Sequence, residues 1–371
     1  MAYRVLFPLA SLYAIGAIPV WLALRITHTP LTNGSWHGHE MLFGFALAVV
    51  AGFLSMRASR FVTIILAGTW FAARIAAGAC SSPLAACAGM AFPLTVVIVT
   101  VPALFRKAKR PENLILPSLV TAVAITDAVW WVARVRADLA LQTHVLVATV
   151  DLFALLLLLV GGRALRGTVG VLLERQGIER RDRVWRRYEL PLAALIGGSA
   201  LCDALGLAAG AGALCVGAAA LAISRLLPRQ IHRTIAQPSV WSLALGFLWL
   251  VAGLAAKGLA QLVGTAPVAD VLHGISIGAL GTFTLVMMSR YSAVRARRPL
   301  SEFADVGLAV SLVSVATVIR LLVPVIPSDW DWLLWLAAAT WSGAFLLLSL
   351  RLWRAFRPPL GTGTVGLRPG E

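Results

Sequence analysis

Charge is scarce in this sequence. Only 13% of its 371 residues are charged, and 16 acidic residues stand against 32 basic ones. A soluble domain carries about 25% charged residues, so this composition excludes a globule covered by polar side chains. Cysteine is also rare: four residues with no CxxC spacing exclude a disulfide scaffold. The shortage of acids leaves a net charge of +16, a balance found in nucleic-acid-binding proteins. Here the basic residues sit in short loops between apolar runs, which excludes nucleic acid as the partner. No small-residue cleavage site follows the first apolar stretch, so a retained helix is expected rather than a signal peptide.

What is abundant is apolar: 59% of the residues are hydrophobic. A membrane-spanning helix needs roughly 20 mostly apolar residues. That ruler places spans at 3–24, 39–56, 61–79, 84–105, 114–133, 140–163, 190–207, 209–227, 240–262, 268–290, 304–327 and 331–353. Only helices and closed barrels satisfy backbone polar groups in lipid, and these runs lack the period-two alternation of barrel strands. The expectation is an all-α, polytopic integral membrane protein of about twelve transmembrane helices, a single transmembrane domain over 1–371 with the lipid bilayer as its partner. No loop is long enough to fold alone. The longest, 163–189, is basic, and is expected to form a cytoplasmic surface helix against anionic head groups.

Charge bias sets the orientation. With the N-terminus inside, all but six of the 32 basic residues fall on the inner side. The exceptions are Arg25, Arg74, Arg134, Arg136, Lys257 and Arg320. Positive residues favour the cytoplasmic side, so both termini are expected there.

Ionisable side chains within a membrane are costly and mark sites by default. On this topology they gather towards the outer face. His37, His39 and Glu40 open the second span; Arg74 and Asp127 lie in the outer thirds of the third and fifth. His144 begins the sixth, with Asp151 seven residues deeper on about the same face. Lys257, His273 and Arg320 occupy the outer parts of the ninth, tenth and eleventh. Each has a plainer reading: the long cations can snorkel to head groups, Asp127 can pair with an arginine, and His144 can be an interfacial histidine. Cys80, Cys87, Cys202 and Cys215 read as small hydrophobes more readily than as disulfides. The shared depth argues for one connected site.

The densest motif is Trp36-His37-Gly38-His39-Glu40-Met41-Leu42-Phe43-Gly44-Phe45, followed by Ala51-Gly52-Phe53-Leu54. Histidines at i and i+2 of a regular helix point about 200° apart, so His37 and His39 cannot chelate one metal. Glu40 is placed to orient a ligand imidazole through its second nitrogen. Leu272-His273-Gly274 leads into Gly278-Ala279-Leu280-Gly281-Thr282, then Met288-Ser289-Arg290 and Arg298-Pro299-Leu300. Gly161-Gly162-Arg163 closes the sixth span, and Trp241 to Leu250 forms a looser element.

In these elements, and in their order along nearly the whole chain, the sequence resembles the NnrS family. These are membrane proteins associated with bacterial responses to nitric oxide and reported to carry haem and copper. The resemblance implies a protein of the bacterial inner membrane with haem b, and more weakly copper, and with nitric oxide as a ligand. His39 and His273 are then the axial candidates, with Glu40, Arg74 and Arg320 as partners of the ligands or of the haem propionates; arginine meets carboxylates bidentately. Copper ligands would come from His37, His144 and Met41 beside His39 and His273. The chain departs from the family pattern at two histidines. Ala244-Leu245-Gly246-Phe247 stands where members often read HLGY, and Ala293 to Leu300 where they often read LGHTGRPL. It reads as a divergent member. The alternative is a transporter or metal-handling permease without bound haem, using the same outer-face polar cluster. Histidines on spans two, six and ten also match the layout of the twelve-helix haem–copper oxidases, at the level of fold analogy alone.

Overall fold

The computed structural model describes residues 2–25, 34–79, 81–178, 188–226, 230–264, 266–295, 304–326 and 332–356. Its regular structure is entirely helical. Twelve long segments run α1 Tyr3–Arg25, α2 Gly34–Leu54, α3 Arg60–Gly78, α4 Pro83–Lys107, α5 Pro111–Val135 and α6 Leu139–Arg175. They continue with α7 Glu189–Ala204, α8 Ala208–Leu226, α9 Pro238–Val263, α10 Val268–Arg295, α11 Ala304–Leu322 and α12 Trp332–Phe356. Each of the twelve expected apolar runs is helical. Among the described residues, ten are long and apolar enough to cross a membrane. The other two are α7, whose 16 residues extend about 24 Å at 1.5 Å per residue, and α8, whose shorter apolar stretch is Ala208–Ser224.

The helices start where the chain supplies a cap. Ser59, Ser82 and Asp138 accept the backbone N–H three residues on, at the heads of α3, α4 and α6. Proline fills the first helical position of α4, α5 and α9, where its missing N–H costs nothing. Large apolar side chains on the outside, such as Phe61, Ile64 and Ile75, are about 70% exposed; lipid is the solvent that makes such a surface stable.

The most enclosed spans are every fourth one. In α2, α6 and α10 the apolar cores are 67%, 83% and 72% buried, against at most 50% in the other spans. The run Leu155 to Leu159 of α6 is buried on every side, as expected of a helix that is apolar all round. α6 touches both α2 and α10, while α1 packs on α12 and closes the outer layer. That closure is polar: Trp341 donates to the Ala14 carbonyl, Ser342 to Ile15 and Ser11 to Phe345.

The sixth helix runs twelve residues past its expected end, so 163–175 continue the span rather than forming a separate surface helix. The remainder of that loop at 179–187, the Arg298-Pro299-Leu300 motif, and Cys80 lie outside the described residues. The ends of the bundle carrying the starts of the even-numbered helices form the outer end in the orientation drawn from charge.

Candidate functional site

α2 and α10 share an unusual feature. In each, a π-helical turn begins directly after a histidine: Glu40–Ala46 follows His39, and Gly274–Ala279 follows His273. Such wide turns occur mostly as short insertions at functional sites. Glycine in both turns permits close packing around them. A Cβ on Gly44 would lie 2.5 Å from Arg74 Nη1 and 2.8 Å from Tyr13 Cε1, and one on Gly274 would lie 3.3 Å from the Gly253 backbone.

The residues around His39 form a closed charge cluster. Its Nδ1 lies 3.0 Å from Glu40 Oε1 and its Nε2 lies 2.9 Å from Asp127 Oδ1. Arg74 Nη1 is 2.7 Å from Glu40 Oε1, and Tyr13 donates its hydroxyl to Glu40 Oε2. The imidazole stacks on Trp130 with centroids 3.8 Å apart and meets the edge of Trp131. Ionised carboxylates only accept, so either the ring donates from both nitrogens or one carboxyl carries the proton and donates to it. In both cases the extra proton and Arg74 offset Glu40 and Asp127, and a cluster with almost no exposure is neutral. Trp130 is held in turn by Ser35, which donates to Gln142 on α6.

This geometry bears on the expected axial role of His39. With both nitrogens engaged by carboxylates, the ring has no lone pair directed at a metal. His37 points to the opposite side of the helix, as its spacing requires, and stacks on Trp21 of α1 at 4.3 Å. Among the described residues no hydrogen bond engages its ring nitrogens.

His273 is oriented by its own chain. Nδ1 faces the Asp270 carbonyl at 3.1 Å, the arrangement by which metal-binding imidazoles are commonly held, with Nε2 as the ligand atom. The Asp270 carboxylate accepts from Arg320 Nη2 at 2.9 Å, bringing α11 to the same place. His37 and Arg320 both lie within electrostatic reach of His273. Arg320 Nη1 is buried without a hydrogen-bond partner. The residues that suit a metal or haem at this end are therefore His37 and His273, with Arg320 for an anionic group such as a propionate.

The expected single constellation is thus divided. Glu40, Arg74, Asp127 and His39 belong to one cluster, His273 and Arg320 meet through Asp270 in another, and His37 stacks on Trp21 on the side of α2 away from His39. His144 is exposed and packs on the turn between α7 and α8, its ring 3.2 Å from the position of a Cβ on Gly206 (φ +72°). Met41 packs against the apolar core. Among the described residues, no group of three or more histidine, cysteine, aspartate or glutamate side chains is placed to hold a metal ion. Asp151 and Lys257 form a third, separate network with Asp203.

Several members were not singled out by sequence. Tyr13, Trp130, Asp203 and Asp270 carry essential contacts. A tyrosine hydroxyl in the middle of the apolar first span was a usable signal for Tyr13, and Asp203 and Asp270 lie within the expected spans 190–207 and 268–290, close to their outer ends, where a carboxylate can reach the head groups.

No curated protein matches the sequence. The NnrS protein family matches residues 1–359, a stretch that includes both histidine-led π turns and all twelve helices. The chain belongs to the NnrS family.

Proposed function

We propose that this protein is a haem-binding component of the bacterial inner membrane that acts in the nitric oxide response. Membership of the NnrS family supports the link to nitric oxide. The observation that carries the haem reading is the fixing of His273 at the outer end through Nδ1, so that Nε2 is left to bind, with Arg320 joined to the same turn through Asp270. A haem b iron held by imidazole offers a coordination position for nitric oxide, with pocket polarity deciding between binding and turnover.

The chain's own residues would divide the work. His273 and His37 would hold the metal. Arg320 would neutralise a propionate through Nη1, which has no hydrogen-bond partner, while Asp270 fixes its other side. Trp21 keeps the His37 ring in plane and covers one of its faces. The closed cluster of His39, Glu40, Arg74 and Asp127 braces α2 against α1, α3 and α5. Copper is the second metal the family implies, and the same two imidazoles suit it.

The test is a visible absorption spectrum with pyridine-haem and metal analysis of the purified full-length protein. A Soret band is expected, lost or shifted in His37→Ala and in His273→Ala. In folded His39→Ala it is expected to persist. A second reading is a transporter or permease without haem, favoured by the engagement of both His39 nitrogens and by the charge networks buried between helices. Folded protein lacking iron would put that reading ahead.

A further inference from the structure

The metal reading makes no use of the most deeply buried ion network in the molecule. Lys257 Nζ on α9 lies 2.6 and 2.5 Å from the two carboxylate oxygens of Asp151 on α6, and 2.6 Å from Asp203 Oδ2 on α7. Ser199 on α7 donates to Asp151 Oδ2 at 2.6 Å, and Gln261 on α9 donates to Asp203 Oδ1 at 2.6 Å. Asp151, Ser199 and Lys257 are wholly buried, and Asp203 is 5% exposed. Two glycines set the crossing beside the network. A Cβ on Gly258 would lie 2.7 Å from the Gly212 carbonyl and one on Gly212 2.8 Å from the Gly258 carbonyl, so α8 and α9 cross in backbone contact. Small residues permit such close crossings in membranes.

The charges facing this centre do not balance. α6 contributes Asp151, α7 Asp203 and α9 Lys257. α8 contributes the Cys215 thiol, 3.5 Å from Nζ, and Ser199 and Gln261 are neutral. Two carboxylates against one ammonium leave one negative charge sealed from water, which is strongly unfavourable. A metal cation is poorly suited to supply the missing charge, because the Lys257 ammonium already occupies the point between the carboxylates. A proton is suited, because Ser199 can accommodate it. Its Oγ lies 2.6 Å from Asp151 Oδ2 and 3.3 Å from the Ala211 carbonyl of α8. While Asp151 is ionised the hydroxyl donates to it. Once Oδ2 carries a proton, that new O–H donates to Ser199, and the serine hydroxyl turns to the Ala211 carbonyl.

We propose that Asp151, Lys257, Asp203 and Ser199 form a proton-binding site that loads and releases one proton towards the outer end. For release, Lys257 first gives a proton to Asp203 Oδ2 and then, as the neutral amine, takes the one on Asp151 Oδ2, so the ammonium is restored. Asp203 then passes it to bulk water beyond Gln261 and the exposed turn at Leu205 and Gly206. Each step breaks one bond to hydrogen and forms one: N–H for O–H at Asp203, O–H for N–H at Asp151, and O–H for O–H at water, after which the network returns to its single negative charge.

Infrared difference spectroscopy of the full-length protein in lipid nanodiscs, recorded across a pH series, tests this. One protonated-carboxyl band should disappear as pH rises. It should be absent from Asp151→Asn, displaced in frequency in Ser199→Ala, and unchanged in Asp127→Asn. The melting temperature of the wild type should fall as that band is lost, because deprotonation exposes the unbalanced charge, while Asp151→Asn should show no such fall. A band that survives in Asp151→Asn, or one that follows sodium concentration instead of pH, overturns the proposal. If Asp151→Asn does not fold, Ser199→Ala decides, since it keeps every charge: an undisplaced band there overturns it equally. None of these readouts depends on haem.

Discussion

Replacing His39 by leucine separates a bracing role from a metal-binding one. The imidazole bridges two carboxylates, at 3.0 Å to Glu40 and 2.9 Å to Asp127. Glu40 would keep Arg74 and Tyr13. Asp127 would not fare so well, because its Oδ2 already lacks a partner and its Oδ1 would lose the histidine. At 1% exposure it becomes a buried, unpaired carboxyl. Hydrogen bonds to charged groups contribute about 1.5–3 kcal/mol each, and removing one partner of a buried pair costs about 3–5 kcal/mol. His39→Leu should therefore lose about 3–5 kcal/mol of stability, measured by unfolding in mixed micelles. Much of that loss belongs to stranded Asp127, so adding Asp127→Leu should restore a part. The double-mutant cycle should show coupling of about 1–3 kcal/mol. A loss below about 1 kcal/mol, with no coupling to Asp127, would refute the closed-cluster reasoning. A loss that appears only in haem-loaded protein would return His39 to the role of ligand.

Two further outcomes are expected. Gly44→Ala places a Cβ 2.5 Å from Arg74 Nη1, so the guanidinium must leave Glu40; overpacking of this kind costs about 1–3 kcal/mol, read by the same unfolding assay, and wild-type stability would count against the packing described. Reporter fusions after Arg110 and within 163–189 should register cytoplasm, with those near Asn33 and Gly210 on the opposite side, and a reversed pattern would overturn the orientation drawn from charge.

Much of the architecture follows from the sequence alone, for a physical reason. Lipid offers no hydrogen-bond partners, so an apolar run of sufficient length has to be helical, and the twelve runs can be marked without tertiary information. The opposed directions of His37 and His39 follow from helical pitch, and they stack on Trp21 and Trp130 respectively. The motif does not by itself show that the helix widens: the π turns after His39 and His273 appear only in the folded structure, where Arg74, Tyr13 and the Gly253 backbone approach glycines of those turns closely. Depth along each span suggested a single polar constellation, because depth is one coordinate. Which side of α2 a residue faces, and which neighbour waits there, is set by packing. Tertiary structure alone decided that Arg74 and Arg320 serve different histidines. It likewise joined Lys257 to Asp151 and Asp203, residues far apart in sequence that the packing of α6, α7 and α9 brings to one point.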